Sequence, residues 1–264
     1  MNYIEVKNLS VKFDDFVAVN NISFNVPKGK IFAFLGPNGA GKTTTIKVLT
    51  TLIDSTEGTV IIDGINVKDN PLAIRRRFGI CFQDQSLDDD LTAYENMEFH
   101  GILYGLPKDV RKKKIDEMFA LVELSDRKND LVRNFSGGMK RRLEIARALI
   151  HEPKILYLDE PTLGLDPQTR NHIWNYIKDL SQRTNMTIFF TTHYMEEAER
   201  FADQVTIIDH GTIVATGTSE KLMEQTHTTS LEDAFILLTG KTIREEKVGG
   251  VDALRTHARA WGRK

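Results

Sequence analysis

Short apolar runs alternate with longer amphipathic segments over most of the chain. Four runs are apolar at almost every position, and they span residues 31–35, 155–159, 187–192 and 205–209. Strands with two apolar faces are typical of parallel sheets that helices cover on both sides. Helical patterns occupy residues 43–52, 138–150, 167–183 and 194–202. The alternation predicts an α/β core in which crossover helices join parallel strands.

The N-terminal part follows a different pattern. Apolar and polar positions alternate in residues 3–13, 18–26 and 58–64, and turn residues separate these stretches. Such alternation predicts an antiparallel β subdomain. Residues from about 88 to 133 are polar with helical spacing. Together with the helix that follows, they predict a helical subdomain over about 88–150.

The last 24 residues form a separate segment. We expect one domain over residues 1–240, followed by a basic tail over 241–264 with seven Lys or Arg and three Asp or Glu. Apolar residues in this tail recur at steps of three and four, which suits one face of a short helix at 251–261. The alternative is a solvated tail.

Composition excludes several classes of protein. The 264 residues are 41% apolar and 27% charged, with a formal net charge of −2, so the chain has no overall attraction to nucleic acid. A single cysteine, Cys81, excludes an internal disulfide and indicates a reducing compartment. No apolar run reaches the ~20 residues of a membrane span, and the N-terminus lacks a signal-peptide pattern. We expect a cytoplasmic chain that reaches a membrane only through a partner.

A glycine-rich loop follows the first buried run. Its sequence, GPNGAGKTT at 36–44, fits the pattern G-x-x-x-x-G-K-[ST] through Gly36, Gly41, Lys42 and Thr43. Glycines let successive backbone N–H groups point at phosphate oxygens, and the start of the next helix adds positive charge. The lysine suits the β- and γ-phosphates of a nucleotide, and the threonine hydroxyl suits Mg²⁺. The sequence therefore predicts a phosphate-binding loop.

Polar side chains follow three other apolar runs. Asp159 and Glu160 end the run at 155–159, where the carboxyl ends of parallel strands form a ligand crevice. We expect Asp159 to hold Mg²⁺ through water and Glu160 to polarise an attacking water. His193 follows the run at 187–192 and suits contact with the γ-phosphate or that water. Gln83 ends another apolar run, and its amide oxygen suits the Mg²⁺ shell.

A second glycine segment, FSGGMKRR at 135–142, precedes the helical pattern at 138–150. Ser136 suits the start of that helix, whose N–H groups and positive end favour a phosphate. The spacing from the first loop does not tell which phosphate this second segment meets.

Five motifs in order resemble those of the nucleotide-binding subunit of ABC transporters. They are GPNGAGKTT, CFQDQ, FSGGM, ILYLDEPTLGLDP and TTHYMEEAE, and the resemblance covers about residues 3–240. It implies a P-loop ATPase that uses ATP and Mg²⁺, and two copies that close on two ATP molecules. The second glycine segment then faces the nucleotide held by the other subunit.

The resemblance assigns a role to each matching position. Glu160 would be the catalytic base and His193 the switch histidine, with Phe13 stacked on adenine in place of the family's usual tyrosine. On pattern alone, a core phenylalanine explains Phe13 equally well. The ATP-binding set is Phe13, Val19, Gly36, Pro37, Asn38, Gly39, Ala40, Gly41, Lys42, Thr43 and Thr44. The magnesium set is Thr43, Gln83 and Asp159, and the contacts across the dimer are Ser136, Gly137, Gly138 and Asp166.

Two segments, FQDQSLDDDLTAYEN and SLEDAFILLTGK, resemble the separate ATPase subunits of ABC-2-type exporters, including the daunorubicin-resistance type. This implies a membrane permease on another chain, export of a drug, lipid or glycan, and a place on the inner face of the cell membrane. Two alternatives are a non-transport ABC protein of ribosomes or DNA and a regulatory module without turnover. The single domain disfavours the first, and the retained Glu160 and His193 disfavour the second. The cargo and the identity of the second ATPase subunit stay open.

Overall fold

Two β-sheets organise the part of the chain that the computed structural model describes, residues 2–240. The strands are β1 (Asn2–Phe13), β2 (Phe16–Pro27), β3 (Ile31–Leu35), β4 (Glu57–Ile62), β5 (Ile65–Asn66), β6 (Phe78–Cys81), β7 (Ile155–Asp159), β8 (Thr187–Thr192), β9 (Gln204–Asp209) and β10 (Thr212–Gly217). The helices are α1 (Lys42–Leu49), α2 (Pro71–Arg75), α3 (Ala93–Leu103), α4 (Lys108–Leu121), α5 (Gly137–Leu149), α6 (Pro167–Thr184), α7 (Met195–Phe201), α8 (Ser219–Thr226) and α9 (Leu231–Thr239). The helix predicted at 251–261 lies outside the described residues.

The larger sheet has the strand order β10-β9-β3-β8-β7-β6. Neighbouring strands from β9 to β6 run parallel, and only β10 pairs antiparallel, with β9. Every residue of β3, β7 and β8 is buried, as their two apolar faces require. The predicted α/β fold is confirmed. Because these strands share a direction, the loops that follow β3, β7 and β8 meet at one edge.

The smaller sheet has the order β2-β1-β4-β5 and is antiparallel. A tight turn after Phe13 joins β1 to β2. Phe24 of this sheet packs on Phe32, Phe34 and Phe189 of the larger one, with ring centroids 5.3–6.2 Å apart. The predicted N-terminal β subdomain is therefore joined to the α/β core by an aromatic layer.

Helices α3, α4 and α5 form the predicted helical subdomain around a small core of their own, which includes Met97, Phe119 and Leu143. Thr92 and Glu95 make a reciprocal capping box at the start of α3. Gly105 has a positive φ and lies in the turn between α3 and α4. Within residues 2–240, no helix is both long and apolar enough to cross a bilayer.

Residues beyond the fourth buried run differ from the sequence-based picture. No strand or helix is predicted between residues 210 and 240, yet the structure contains β10, α8 and α9 there. Strand β10 lies at the sheet edge with alternating exposure, so its six residues lack a strong apolar run. Helices α8 and α9 have eight and nine residues, which is short for a periodic signal.

Candidate active site

The loop after β3 is held by close backbone contacts. A Cβ on Gly36 would lie 2.4 Å from the carbonyl oxygen of Ile208. Gly41 has φ +105°, and a Cβ there would lie 2.7 Å from the carbonyl oxygen of Ala18. Only glycine fits at both positions, because a side chain would push the loop off the sheet.

The outer part of this loop is open to solvent. Asn38 and Gly39 are exposed, and Pro37 is half-buried. The N–H of Ala40 donates to Pro37 O at 3.2 Å, which closes the turn. Helix α1 begins directly after Gly41, so the free N–H groups of its first turn lie at the same place. Thr44 is half-buried in that first turn.

Lys42 and Thr43 connect the loop to the end of β7. The Lys42 ammonium donates to the carbonyl oxygens of Gly36 at 2.8 Å and Pro37 at 3.2 Å. It also lies 3.2 Å from Glu160 Oε1, and both side chains are buried. The Thr43 hydroxyl donates to Asp159 Oδ2 at 2.9 Å. The loop motif and the two carboxylates therefore form one site, as the sequence predicts.

The two adjacent carboxylates point to different partners. Asp159 is the last residue of β7, and its Oδ1 accepts from the Thr191 hydroxyl of β8 at 2.5 Å. Glu160 has φ 47°, which ends the strand, and its N–H donates to Thr191 Oγ1 at 3.1 Å. This left-handed residue turns the Glu160 side chain toward Lys42 and His193.

His193 stands at the end of β8, next to Glu160. Its Nδ1 lies 2.8 Å from Glu160 Oε2. With the proton on Nδ1, the imidazole donates to the carboxylate and leaves Nε2 as an acceptor. The side chain is 32% exposed, so the free edge of the ring reaches solvent. Glu160 thus lies between a buried cation and a solvent-facing imidazole.

Gln83 is not joined to the pair that suits magnesium. It is exposed in the segment after β6 and makes no hydrogen bond to Thr43 or Asp159. It does line a cavity of about 140 Å³ that Glu160 and Gly137 also line. The structure therefore places Gln83 near the Glu160 carboxylate and outside the Thr43–Asp159 contact.

The second glycine segment starts α5, as predicted. Ser136 caps the helix, and its Oγ accepts from Met139 N at 3.3 Å. Ser136 and Gly137 are exposed, so the first N–H groups of α5 face solvent. A Cβ on Gly138 would lie 2.6 Å from Thr169 Cγ2, so glycine there allows α5 to approach α6 closely.

Asp166 lies next to this segment and caps α6. Its Oδ1 accepts from the N–H groups of Gln168 at 3.1 Å and Thr169 at 3.0 Å. Its Oδ2 accepts from the Thr169 hydroxyl at 2.6 Å. The hydrogen bonds from the Thr169 side chain and backbone lower the pKa of the Asp166 carboxyl. Gly138 and Asp166 therefore meet at Thr169, and of the four residues predicted to act across a dimer, Ser136, Gly137 and Asp166 are exposed and Gly138 is half-buried.

Phe13 and Val19 occupy different environments. Phe13 is 46% exposed beside the β1–β2 turn, so it is not the core phenylalanine that its strand pattern also allowed. Val19 is completely buried. Its Cγ2 would lie 3.3 Å from a Cβ on Gly41, so Val19 supports the loop from below and leaves the Phe13 ring open.

Buried charges near the site were not predicted from sequence. Glu197 of α7 accepts from the hydroxyls of Thr192, at 3.0 Å, and Thr162. It fixes the residue before His193 to the loop after Glu160. Arg141 and Glu144 of α5 are also buried, and Arg141 contacts the backbone at the end of β7. Charged residues in helices are normally exposed, so their sequence pattern gave no signal for this role.

Comparison with known proteins decides the family. A family model described as ABC transporter matches residues 19–163. This chain belongs to the ABC transporter family. It is similar to the linearmycin resistance ATP-binding protein LnrL of Bacillus subtilis (strain 168), with 39% identity over 94% of this chain and 76% of that protein. It is also 39% identical to the daunorubicin/doxorubicin resistance ATP-binding protein DrrA of Streptomyces peucetius, over 83% of this chain and 66% of that one.

Other relatives extend the same picture. A Nod factor export ATP-binding protein I of Cupriavidus pinatubonensis (strain JMP 134 / LMG 1197) is 39% identical over 84% of this chain and 68% of that protein. A solved ATP-binding subunit of an ABC transporter superposes with a TM-score of 0.81 at 30% identity, over 90% of this chain and all of the other. A dimeric ATP-binding cassette with ADP and phosphate superposes at 0.74, with 30% identity over 81% and 98%. The chain is an ABC ATPase, and the family and fold predicted from its motifs are confirmed.

Proposed function

We propose that this ABC ATPase powers export through a separate membrane permease, as one of two ATP-binding subunits. The similar proteins are named for linearmycin resistance, daunorubicin resistance and Nod factor export. A drug, lipid or glycan is the class of cargo that such relatives suggest. The chain would lie on the inner face of the cell membrane through its permease, with residues 1–240 as one ATP-binding domain and no role for nucleic acid.

Thr43 and Asp159 fit a magnesium ion. Their oxygens are 2.9 Å apart at the mouth of the phosphate loop, and hydroxyl and carboxylate oxygens are the ligands that Mg²⁺ prefers. Among residues 2–240, no three His, Cys, Asp or Glu side chains are placed to hold a metal, so the ion would depend on Thr43, Asp159 and the phosphates. Gln83 lies outside the Thr43–Asp159 contact and would have to approach it to join the magnesium shell. When bound, it would neutralise charge on the β- and γ-phosphates.

The contacts of Glu160 carry the catalytic assignment. One carboxylate oxygen is 3.2 Å from the Lys42 ammonium and the other is 2.8 Å from His193 Nδ1. A γ-phosphate in the loop would draw the ammonium to its own oxygens, since it carries more negative charge than one carboxylate. Glu160 Oε1 would then accept the proton of the attacking water, while His193 holds the carboxylate in place.

The test replaces Glu160 with a neutral isostere. Glu160→Gln keeps the oxygen and the size of the side chain but removes its basicity, so we expect ATP binding to persist and turnover to fall about 10²- to 10⁴-fold. Lys42→Ala should lose ATP binding itself. Glu196→Gln, at an exposed acid three residues after His193, is the matched control and should hydrolyse ATP normally. Normal turnover in Glu160→Gln would exclude this residue as the base.

The exposed start of α5 supports a dimer around ATP. Ser136 and Gly137 direct N–H groups and the positive helix end to solvent, next to Asp166. A phosphate held by a second copy of the chain is the partner that this edge suits. The loop at 36–44 and the start of α5 would then hold the two ends of one shared site.

A charged side chain at position 137 tests dimerisation without disturbing the fold of the subunit. Within residues 2–240, Leu165 Cδ2 at 3.7 Å is the one side-chain atom within 4 Å of a Cβ at this position, so a side chain fits the isolated subunit. Gly137→Asp should fold and bind ATP but repel a phosphate, which abolishes ATP-dependent dimerisation and hydrolysis. Gly137→Asn, of equal size and no charge, should keep more of both. Both Gly137 variants are made in a Glu160→Gln background, and light scattering in the presence of ATP measures dimerisation. Unchanged dimerisation in Gly137→Asp would refute the proposal that the start of α5 lies in the dimer interface.

A further inference from the structure

Arg141 is a buried arginine whose guanidinium donates hydrogen bonds to four backbone carbonyl oxygens. It is 7% exposed and lies on α5, one turn after Gly137. Its Nε donates to Pro161 O at 2.7 Å, and its Nη2 donates to Asp159 O at 3.2 Å and Glu160 O at 3.4 Å. Three of its acceptors are therefore the backbone of the segment that carries the catalytic carboxylates.

The other side of the same guanidinium reaches the segment that contains Gln83. Arg141 Nη1 donates to Phe82 O at 2.6 Å and pairs with Glu144 Oε2 at 3.0 Å. Glu144 is 1% exposed, and its Oε1 accepts from the N–H of Ser86 at 2.8 Å. The two residues that bracket Gln83, at 82 and 86, are thus both bound to one face of α5.

These hydrogen bonds connect the start of α5 to the backbone around Glu160. A helix moves as a stiff unit, because its backbone bonds are internal. Any displacement of the α5 start, where Ser136 lies, must be transmitted to Arg141 and from there to the carbonyls around Glu160. The guanidinium is planar and presents its donors in a fixed fork, so it resists changes in the relative position of its acceptors.

We propose that Arg141 and Glu144 are positioning residues that couple the two ATP sites of the dimer. This inference rests on the proposed function, in which the α5 start of one subunit binds the nucleotide of the other. Occupancy of one site then fixes α5, and Arg141 sets the position of Glu160 in the second site. The same guanidinium, through its hydrogen bond to Phe82 O, keeps the segment that contains Gln83 in a fixed position relative to Glu160. ATP hydrolysis should therefore be cooperative in ATP, through this pair of side chains.

The test uses Arg141→Lys, which keeps the charge and replaces the fork by one compact ammonium. Steady-state hydrolysis of Mg–ATP by the full-length chain is measured against ATP concentration. We expect kcat to fall about 10- to 100-fold through misplacement of Glu160, with KM changed less than about twofold. The Hill coefficient should fall from above 1 in the parent chain to about 1.

Arg142→Lys is the matched control on the same helix. Arg142 donates to Val122 O at 2.9 Å and lies near Glu123, within the helical subdomain and away from the catalytic segment. It should retain parental kcat and Hill coefficient. If Arg141→Lys does not fold, Glu144→Gln decides the question, since it keeps an oxygen for Ser86 and removes the charge opposite Arg141. In Glu144→Gln, kcat should also fall while KM changes little, and the fall in kcat should be smaller than in Arg141→Lys.

Several results would overturn the inference. They are a parental kcat and Hill coefficient in Arg141→Lys, a KM that rises in proportion to the loss of kcat/KM, equal effects in Arg142→Lys, or a parental chain that hydrolyses ATP without cooperativity. A parental chain that hydrolyses no ATP would instead contradict the proposed function, so the two failures are distinguishable.

Discussion

Acid should destabilise this fold through two histidines that lie between the helical subdomain and the larger sheet. His100 of α3 and His151, just after α5, flank the Tyr104 ring, which stacks on His151 at 3.7 Å. His151 Nε2 also lies 2.9 Å from Phe78 O of β6. Burial lowers the pKa of each histidine to about 4, and in His100 the nearby charge of Arg147 adds to this effect.

The direction of this pH effect follows from the number of protons that the folded and unfolded states bind. Unfolded histidine has a pKa of about 6.5, so between pH 6.5 and 4 the unfolded chain binds more protons than the folded one. The stability that neutral imidazoles allow is complete above pH 6.5 and is lost as the pH falls toward 4. The full difference corresponds to about 3 kcal/mol per histidine, and to about 2 kcal/mol at pH 5. Both rings keep some solvent contact, so we expect about 1–2 kcal/mol each at pH 5.

Urea unfolding at pH 7.5 and pH 5.0 measures this loss. Replacement of His100 and His151 by phenylalanine keeps two rings and removes both protonation sites. The double variant should lose about 2–4 kcal/mol less than the parent on acidification, even if the missing bond to Phe78 O lowers its stability at both pH values. His227→Asn, at an exposed residue with φ 54° that asparagine tolerates, should leave the loss unchanged. An equal loss in the parent and in the double variant would refute the reasoning.

Three further predictions concern ATP, the permease and packing. Phe13→Ala should weaken ATP binding by about 1–3 kcal/mol in a fluorescent-nucleotide titration, while Phe13→Tyr keeps it, because the exposed ring offers a stacking face. Phe99, Ile102 and Leu103 form an exposed apolar face of α3, and such a face suits a partner protein. Leu103→Ser, at a 66% exposed residue, should therefore abolish co-purification with the permease and spare ATPase activity, whereas Leu72→Ser on α2 should spare both. Gly79→Ala should lower the free energy of unfolding by about 1–3 kcal/mol in urea, since its Cβ would lie 2.2 Å from Ala148 O.

The parts of the fold that sequence predicted well are those with a single physical explanation. Strands β3, β7 and β8 are apolar at nearly every position because helices and the second sheet cover both faces. The order of loops at their carboxyl ends then brings Lys42, Glu160 and His193 together, without further information. Hydrophobic pattern and motif position were therefore sufficient for the centre of the site.

The contacts that sequence could not predict involve charges in unusual places. Arg141 stands in a run of basic residues, and Glu197 follows another acid in the first turn of α7, where exposed acids are common. Only the close approach of α5 and α7 to the strand ends reveals that both are buried. The position of Val19 could not be predicted from sequence either, since its burial under Gly41 depends on how the two sheets meet.

The ion pair between Lys42 and Glu160 has a practical consequence for trapping the ATP-bound complex. Each side chain offsets the desolvation of the other, so removing one leaves an uncompensated charge in a buried place. Lys42→Ala strands the carboxylate and would mix a folding defect with a binding defect. In Glu160→Gln the amide oxygen can still face the Lys42 ammonium, which also donates to the carbonyl oxygens of Gly36 and Pro37. Glu160→Gln is therefore the cleaner choice for capturing a closed pair of subunits for imaging.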